Sequence, residues 1–368
     1  MNEGITPLLM PRWGVDMTEG KVVRWLVGEG AAVHANTELV EVESEKAVAP
    51  VEAGAESVLR RRIAPEGVMV PVGGLLGVLA PNGVADADIE AFVQAFAAPK
   101  QSVAAMPTQD ETVTALGQSL RLLSFGAGDP PLLLAHGFGG DRRGWSLVQS
   151  ELARQRRVIS VDLPGHGDSS KTIASASPEF FRDILLALMD ALGLARVHLV
   201  GHSWGGVLAM AVAEQAPQRV ASLTLIGTAG QETPVEANYI RDFLDAARRA
   251  EVKTVLQRLF ADPAMVSREM VEQVLRFKRI EAADDALRKI AVMSHEASRR
   301  PDPAAAPSVP TQIIAGREDR ICPLGENFTP PQGVVLHLLD RVGHMPHLEA
   351  PAKVASLINA HVSAASAP

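Results

Sequence analysis

From about residue 116 onward the chain alternates short apolar runs with stretches of helical period, and that alternation constrains the fold more than any other feature. The runs at 132–135, 158–162, 197–201, 222–227, 311–316 and 334–339 show little of the polar alternation of a half-solvated strand. Strands apolar on both sides must be covered on both sides, which is the condition of a mostly parallel sheet with helices on each face. Helical stretches at 180–192 and 206–214 lie between the runs, so the expected class for this region is α/β. Residues 231–305 break the rhythm with charged, helix-prone sequence and no strand, and read as a helical insertion.

Residues 1–80 are different. Short strands at 21–27, 39–42, 56–63 and 75–79 are punctuated by Gly or Pro. Gly28-Glu29-Gly30 with Val33, Leu39 and Val42 matches Pro65-Glu66-Gly67 with Val70, Leu76 and Leu79 at a constant offset of 37. A repeat too short for a solenoid points to two similar sheet halves folded about a pseudo-twofold. Between them, Glu43-Ser44-Glu45-Lys46-Ala47 is the natural tip of an exposed hairpin. Residues 81–115 are rich in Ala, Pro, Gly, Gln and Thr and read as a linker. Within it, Ile89, Phe92, Val93 and Phe96 predict one short amphipathic helix, with Asp86 or Asp88 as N-cap. Residues 97–115 then read as a tether. A length of 368 residues suits two or three domains at roughly 150 residues each. The expected division is 1–80, 81–115 and 116–368.

Composition removes several function classes. With 35 Lys+Arg against 43 Asp+Glu, the net charge is −8, which argues against a nucleic-acid footprint. Arg60-Arg61-Arg62 reads as a solvated strand face, balanced by Glu56 and Glu66. The single cysteine, Cys322, excludes a disulfide framework and a multi-Cys metal site, and reads as a small core residue. No run approaches the ~20 apolar residues of a membrane helix, and the first twenty residues lack signal-peptide order. No nucleic-acid or membrane partner and a cytoplasmic location are therefore expected.

Chemistry concentrates at three loops that follow apolar runs. Gly201-His202-Ser203-Trp204-Gly205-Gly206 fits G-x-S-x-G, a sharp strand-to-helix turn that presents Ser203. His136-Gly137-Phe138-Gly139-Gly140 supplies the second backbone donor such a site needs. The expected oxyanion donors are the N–H groups of Trp204 and Phe138. A base and an orienting acid follow downstream: Glu318 or Asp319 after one run, His344 or His347 after the next.

These motifs, together with Asp162-Leu163-Pro164-Gly165-His166-Gly167-Asp168-Ser169, make residues 116–365 resemble the α/β-hydrolase superfamily. The resemblance implies the order Ser203…Asp319…His344 and a helical cap at about 231–305. Glu41-Val42-Glu43-Ser44-Glu45-Lys46-Ala47 resembles the lysine hairpin of lipoyl domains, which are small flattened β-barrels. Biotinyl domains share that fold but usually have Met beside the lysine, whereas Glu45 and Ala47 flank Lys46. The pairing of the two domains resembles the acyltransferase component of acetoin-cleaving dehydrogenase complexes.

That resemblance implies lipoate on Lys46, CoA as acyl acceptor, and acetyl transfer through Ser203. It also implies three protein partners: a thiamin-diphosphate-dependent acetoin-cleaving enzyme, a dihydrolipoamide dehydrogenase, and a lipoate ligase or transferase. The H-x-x-x-D-G motif of conventional 2-oxoacid dehydrogenase transacetylases is absent, since Ser, Ala and Ala follow the residue after His361. Their trimeric core assembly is therefore not implied. An esterase or thioesterase with an accessory lipoyl domain, and a lipoyl carrier on a non-catalytic scaffold, are the alternatives.

Overall fold

The computed structural model describes residues 4–11, 17, 19–44, 48–97, 109–228, 236–297, 308–325 and 328–366. The chain divides into two compact units, Met1–Ala105 and Met106–Pro368.

Among its described residues the first unit holds eight short strands: β1 (Thr6–Leu9), β2 (Glu19–Trp25), β3 (Ala32–Val33), β4 (Glu38–Glu43), β5 (Val48–Glu52), β6 (Ser57–Arg62), β7 (Met69–Pro71) and β8 (Leu75–Leu79). They form two four-stranded sheets, ordered β1-β8-β6-β3 and β5-β4-β2-β7. The offset of 37 seen in the sequence is repeated in the hydrogen bonds. Gly30 N–H donates to Leu59 O and Gly67 N–H to Val22 O, both at 2.7 Å. Leu26 N–H donates to Leu39 O, and Ile63 N–H to Leu76 O, both at 2.9 Å. Glu66 accepts the Trp25 N–H at 2.8 Å while Glu29 accepts the Arg62 N–H at 2.6 Å. Each half thus reaches into the other at matched positions. Leu39, Val42, Leu59 and Leu76 fill the shared core, each fully buried. Strands β4 and β5 pair antiparallel with Glu43 opposite Val48. Lys46, expected at the tip that joins them, lies outside the described residues.

Helix α1 (Asp86–Ala97) is longer than the sequence pattern suggests, and it is docked within this unit. Ile89 is fully buried against Val78 and Ala80. Neither acid is the N-cap: Asp86 and Asp88 lie in the first turn, and the Asp88 and Ile89 N–H groups return to Ala85 O. The arginine run is also balanced differently from expectation. Arg60 pairs with Asp86 at 2.6 Å and Arg61 with Glu90 at 2.8 Å, while Arg60 also holds the carbonyls of Pro81 and Val84. Sequence spacing concealed these partners because they lie on a separate helix.

The second unit is an eight-stranded sheet ordered β16-β15-β14-β13-β11-β12-β10-β9. Its members are β9 (Gln109–Ala115), β10 (Gln118–Phe125), β11 (Leu132–Ala135), β12 (Val158–Val161), β13 (Val197–His202), β14 (Val220–Ile226), β15 (Thr311–Gly316) and β16 (Val334–Leu339). From β12 to β16 the sheet is parallel; β10 runs antiparallel to both β12 and β9. The last part of the expected tether is therefore the edge strand β9. Strand β10 alternates buried and less buried residues, so it lacks the continuous apolar run that marks the inner strands.

Helices α2 (Ser146–Leu152) and α10 (Pro351–Ser366) pack with Leu132, Leu134, Val200, Ile226 and Ile314 in one core cluster. Helices α3 (Pro178–Ala191) and α4 (Trp204–Gln215) contribute to the other, larger cluster. The insertion contains α5 (Ala237–Asp245), α6 (Arg249–Gln257), α7 (Arg268–Lys278) and α8 (Ala283–Ala297), and among its described residues no strand. One-turn α9 (Pro346–Glu349) precedes α10. No described helix is long and apolar enough to cross a membrane.

Truncating the buried Ile89 to Ala removes the contact that docks α1, at a cost of about 2–5 kcal/mol for a fully buried aliphatic side chain. The expected outcome is fast amide exchange over residues 86–97 with protection retained in β4 and β6. Unchanged protection of 86–97 would show that the ion pairs alone hold the helix.

Candidate active site

Strand order reverses between β11 and β13, and loops at the carboxyl ends of neighbouring strands there form the natural crevice of an open α/β sheet. Ser203 follows β13 with φ 51° and ψ −117°, a conformation that a non-glycine residue adopts only when its surroundings enforce it. The enforcement is visible. Ser203 N–H donates to Ile226 O at 2.9 Å, and its carbonyl accepts from Gly206 N–H at 2.9 Å. A Cβ on Gly205 would stand 2.3 Å from Ala135 O, so only glycine lets α4 approach the end of β11. Trp204 opens α4, and the first N–H groups of a helix have no acceptor within it. The loop carrying Phe138 lies alongside: a Cβ on Gly137 would be 3.0 Å from Ser203 Cβ.

Asp319 and His344 meet at the same point. His344 Nδ1 lies 2.9 Å from Asp319 Oδ2, with both residues buried. Asp319 Oδ1 also accepts the N–H groups of Ile321 (2.8 Å) and Cys322 (2.9 Å). Burial works against the Asp319 carboxylate, but the His344 ring and these donors hold its pKa below the ordinary value. A carboxylate only accepts, so Nδ1 carries the proton and Nε2 is left as a lone-pair acceptor. A Cβ on Gly227 would lie 3.3 Å from His344 Nδ1 and 3.5 Å from Asp319 Oδ2, which places the pair at the end of β14, beside the elbow. The Cys322 thiol is buried as expected. Burial and the neighbouring Asp319 raise that thiol's pKa, so it stays protonated.

The neighbouring candidates serve other purposes. Glu318 accepts the Val342 N–H at 3.0 Å. His347 is buried with its ring 4.6 Å from Trp145 and 4.7 Å from His202.

Several supporting residues had no sequence signal of their own. His202 Nε2 lies 2.8 Å from His344 O, and His344 N–H donates to Leu259 O at 2.7 Å, so the His344 backbone is held from two sides. Glu349 accepts from Gly343, Met345 and Ala261, tying the His344 loop to the segment after α6. His136 accepts the Leu163 N–H on Nε2 at 3.0 Å and donates from Nδ1 to Gly137 O at 2.8 Å, one tautomer satisfying both. Buried Arg142 donates to Asp162 from both backbone and guanidinium, joining the loops after β11 and β12. Their roles depend on which strand ends become neighbours.

A family model described as the alpha/beta hydrolase fold matches residues 130–351, and one described as biotin-requiring enzyme matches residues 6–79. The dihydrolipoyllysine-residue acetyltransferase component of the acetoin cleaving system of Pseudomonas putida is 39% identical over 360 residues, covering 95% of this chain and 96% of its own. Its counterpart from Cupriavidus necator is 35% identical over 366 residues, covering 97% of each chain. The chain belongs to this family. The family's lipoyl domain and α/β-hydrolase domain are both present, in that order. A 2-hydroxymuconate semialdehyde hydrolase from Pseudomonas sp. strain CF600 is 32% identical over 287 residues, 71% of this chain and 96% of its own. The meta-cleavage product hydrolase of Pseudomonas fluorescens IP01 superposes with a TM-score of 0.63 at 23% identity over 70% of this chain and 98% of its own, a likeness of fold.

The buried histidines make a pH prediction. Burial lowers the pKa of His136, His166 and His202 below 6.5, that of His198 to about 4 and that of His347 to about 3. Unfolding restores ordinary rings, so below about pH 6.5 the unfolded state binds more protons and stability falls as pH falls. Denaturant titrations at pH 7.5, 6.5 and 5.5 should show a progressive loss that steepens below 6.5. A flat profile across that range would show that these rings are not neutral and buried.

Proposed function

We propose that this chain moves acetyl from a lipoyl arm on Lys46 to CoA, with Ser203 as nucleophile, His344 as base and Asp319 as the group that orients it. The observation that carries the reading is whole-length similarity, across both domains, to relatives named as the acetyltransferase of an acetoin cleaving system. The geometry suits the chemistry. Asp319 holds the His344 tautomer in which Nε2 can take the Ser203 proton. Ser203 Oγ then attacks the thioester carbonyl, and the N–H groups of Trp204 and Phe138 receive the developing oxyanion. Each donor of this kind is worth about 10²–10³ in rate. His344 returns the proton to the departing sulfur, leaving acetyl-Ser203. The CoA thiol next gives its proton to His344 and attacks the acetyl group, releasing acetyl-CoA and restoring Ser203.

Lipoate amide-linked to Lys46 would supply the sulfur on which the acetyl arrives. The β4–β5 hairpin, whose last paired residues are Glu43 and Val48, suits that attachment at its connecting turn. The proposal places the protein in a cytoplasmic complex with a thiamin-diphosphate-dependent acetoin-cleaving enzyme and a dihydrolipoamide dehydrogenase. A lipoate ligase or transferase would modify Lys46.

Hydrolase relatives over the second unit favour a second reading, in which water takes the acyl group. Incubation with acetyl-dihydrolipoamide and CoA decides between them. Acetyl-CoA should form, and Ser203→Ala should lower its rate about 10³-fold or more. Free acetate formed without dependence on CoA would favour the hydrolase, and an unaffected Ser203→Ala rate would leave the domain a scaffold.

Lys46 has its own check. Intact mass after co-expression with a lipoate ligase should show the lipoyl increment in the wild type and none in Lys46→Arg. An increment that survives the substitution would place the attachment elsewhere.

A further inference from the structure

The residue that precedes the nucleophile touches both of the other loops the chemistry needs. His202 ends β13 and is buried. Its Nε2 lies 2.8 Å from His344 O, and the two ring centroids are 4.9 Å apart. A carbonyl only accepts, so Nε2 carries the proton and Nδ1 is the bare nitrogen of a neutral ring. The same ring abuts the loop after β11: a Cβ on Gly137 would lie 2.8 Å from His202 Nδ1 and 3.2 Å from its Cε1. His202 thus meets the Gly137 backbone and the His344 carbonyl at once, with Ser203 next in the chain. The ring is also braced, since His347 packs on it at 4.7 Å and Trp145 packs on His347 at 4.6 Å.

A base can serve a nucleophile only from within hydrogen-bond reach, so the placing of the His344 loop matters as much as its tautomer. Asp319 holds the Nδ1 end of the ring. Leu259 O holds the His344 N–H from the segment after α6. The His202 bond is the contact that ties His344 to β13, the strand that presents Ser203. We infer that His202 is a positioning residue for the base, setting the distance between the His344 loop and the elbow through its Nε2–H···O bond. The inference rests on the reading of Ser203 as nucleophile and His344 as base. Neutrality suits the role: burial first, then the neighbouring His347 and His344, hold the His202 pKa well below 6.5. No charge on His202 then opposes the one His344 acquires on taking a proton.

Consumption of acetyl-dihydrolipoamide by the full chain with CoA present reads turnover whichever acceptor takes the acetyl group, and kcat and KM are to be separated. His202→Leu keeps a buried side chain but removes the donor. It should lower kcat about 10²-fold, the scale of a misplacement of about 1 Å, with KM changed less than about twofold. His202→Gln offers an amide N–H at similar reach and should restore kcat about tenfold over the Leu variant. His198 is buried at the other end of β13, where it bonds Ser222 at 2.8 Å. His198→Leu therefore controls for the loss of any buried histidine, and should lower stability while keeping kcat. A His202→Leu kcat within about threefold of wild type, a loss carried by KM, a Gln variant no better than Leu, or an equal kcat loss in His198→Leu each overturns the inference. So does a His202→Leu chain that denaturant titration shows to be unfolded, because the residue is then structural. Wild-type turnover that is absent, or that survives His344→Ala, defeats the base reading and this one with it.

Discussion

The second unit is organised around one close approach. The backbone of Gly205 passes the carbonyls of Ala135 and His136 at distances a methyl group would reduce to 2.3 Å and 2.5 Å. Because α4 starts hard against the end of β11, Ser203 is forced into its unusual φ and ψ, and the loop carrying Phe138 lies beside it. A larger residue at 205 would separate the two strand ends, and with them the hydroxyl and the backbone donors that act together. The rest of the unit supports this contact by burying β11 and β13 beneath helices on both faces.

Around the approach, polar groups are held by specific partners rather than by solvent. His136 spans from Leu163 to Gly137, His202 reaches the His344 carbonyl, and Glu349 gathers three N–H groups around the His344 loop. Buried polar groups are costly when unpaired and specific when paired. The histidines are neutral, so each contributes direction without adding charge near Asp319. Two further buried formal charges, Arg142 and Asp162, compensate each other and lie in the loops next to the site. In the first unit the same economy takes a symmetric form: glutamates at 29 and 66 accept N–H groups across the pseudo-twofold.

Much of this was legible in the sequence, for identifiable reasons. Most strands are apolar runs, and four expected strands, at 132–135, 311–316, 334–339 and 75–79, match the observed bounds. The elbow announces itself because G-x-S-x-G states a steric requirement. Strands β9 and β10 were missed because edge and antiparallel strands expose alternate residues, so their pattern is weak. The partners of Arg60 and Arg61 were misjudged because charge balance was sought along the strand, whereas α1 brings Asp86 and Glu90 across to it.

The sequence alone determined the two-domain division into β and α/β architectures, the pseudo-twofold, and the identities of Ser203, Asp319, His344 and Lys46 as candidates. The division, the pseudo-twofold and Ser203 are carried by local pattern, whereas resemblance to known families singled out Asp319, His344 and Lys46 among their neighbours. The tertiary structure alone decided which histidines surround His344 and that Phe243 lies over Gly139. Those are contacts between strand ends and a distant cap helix. They follow from the order of strands in the sheet, and no spacing along the chain encodes them.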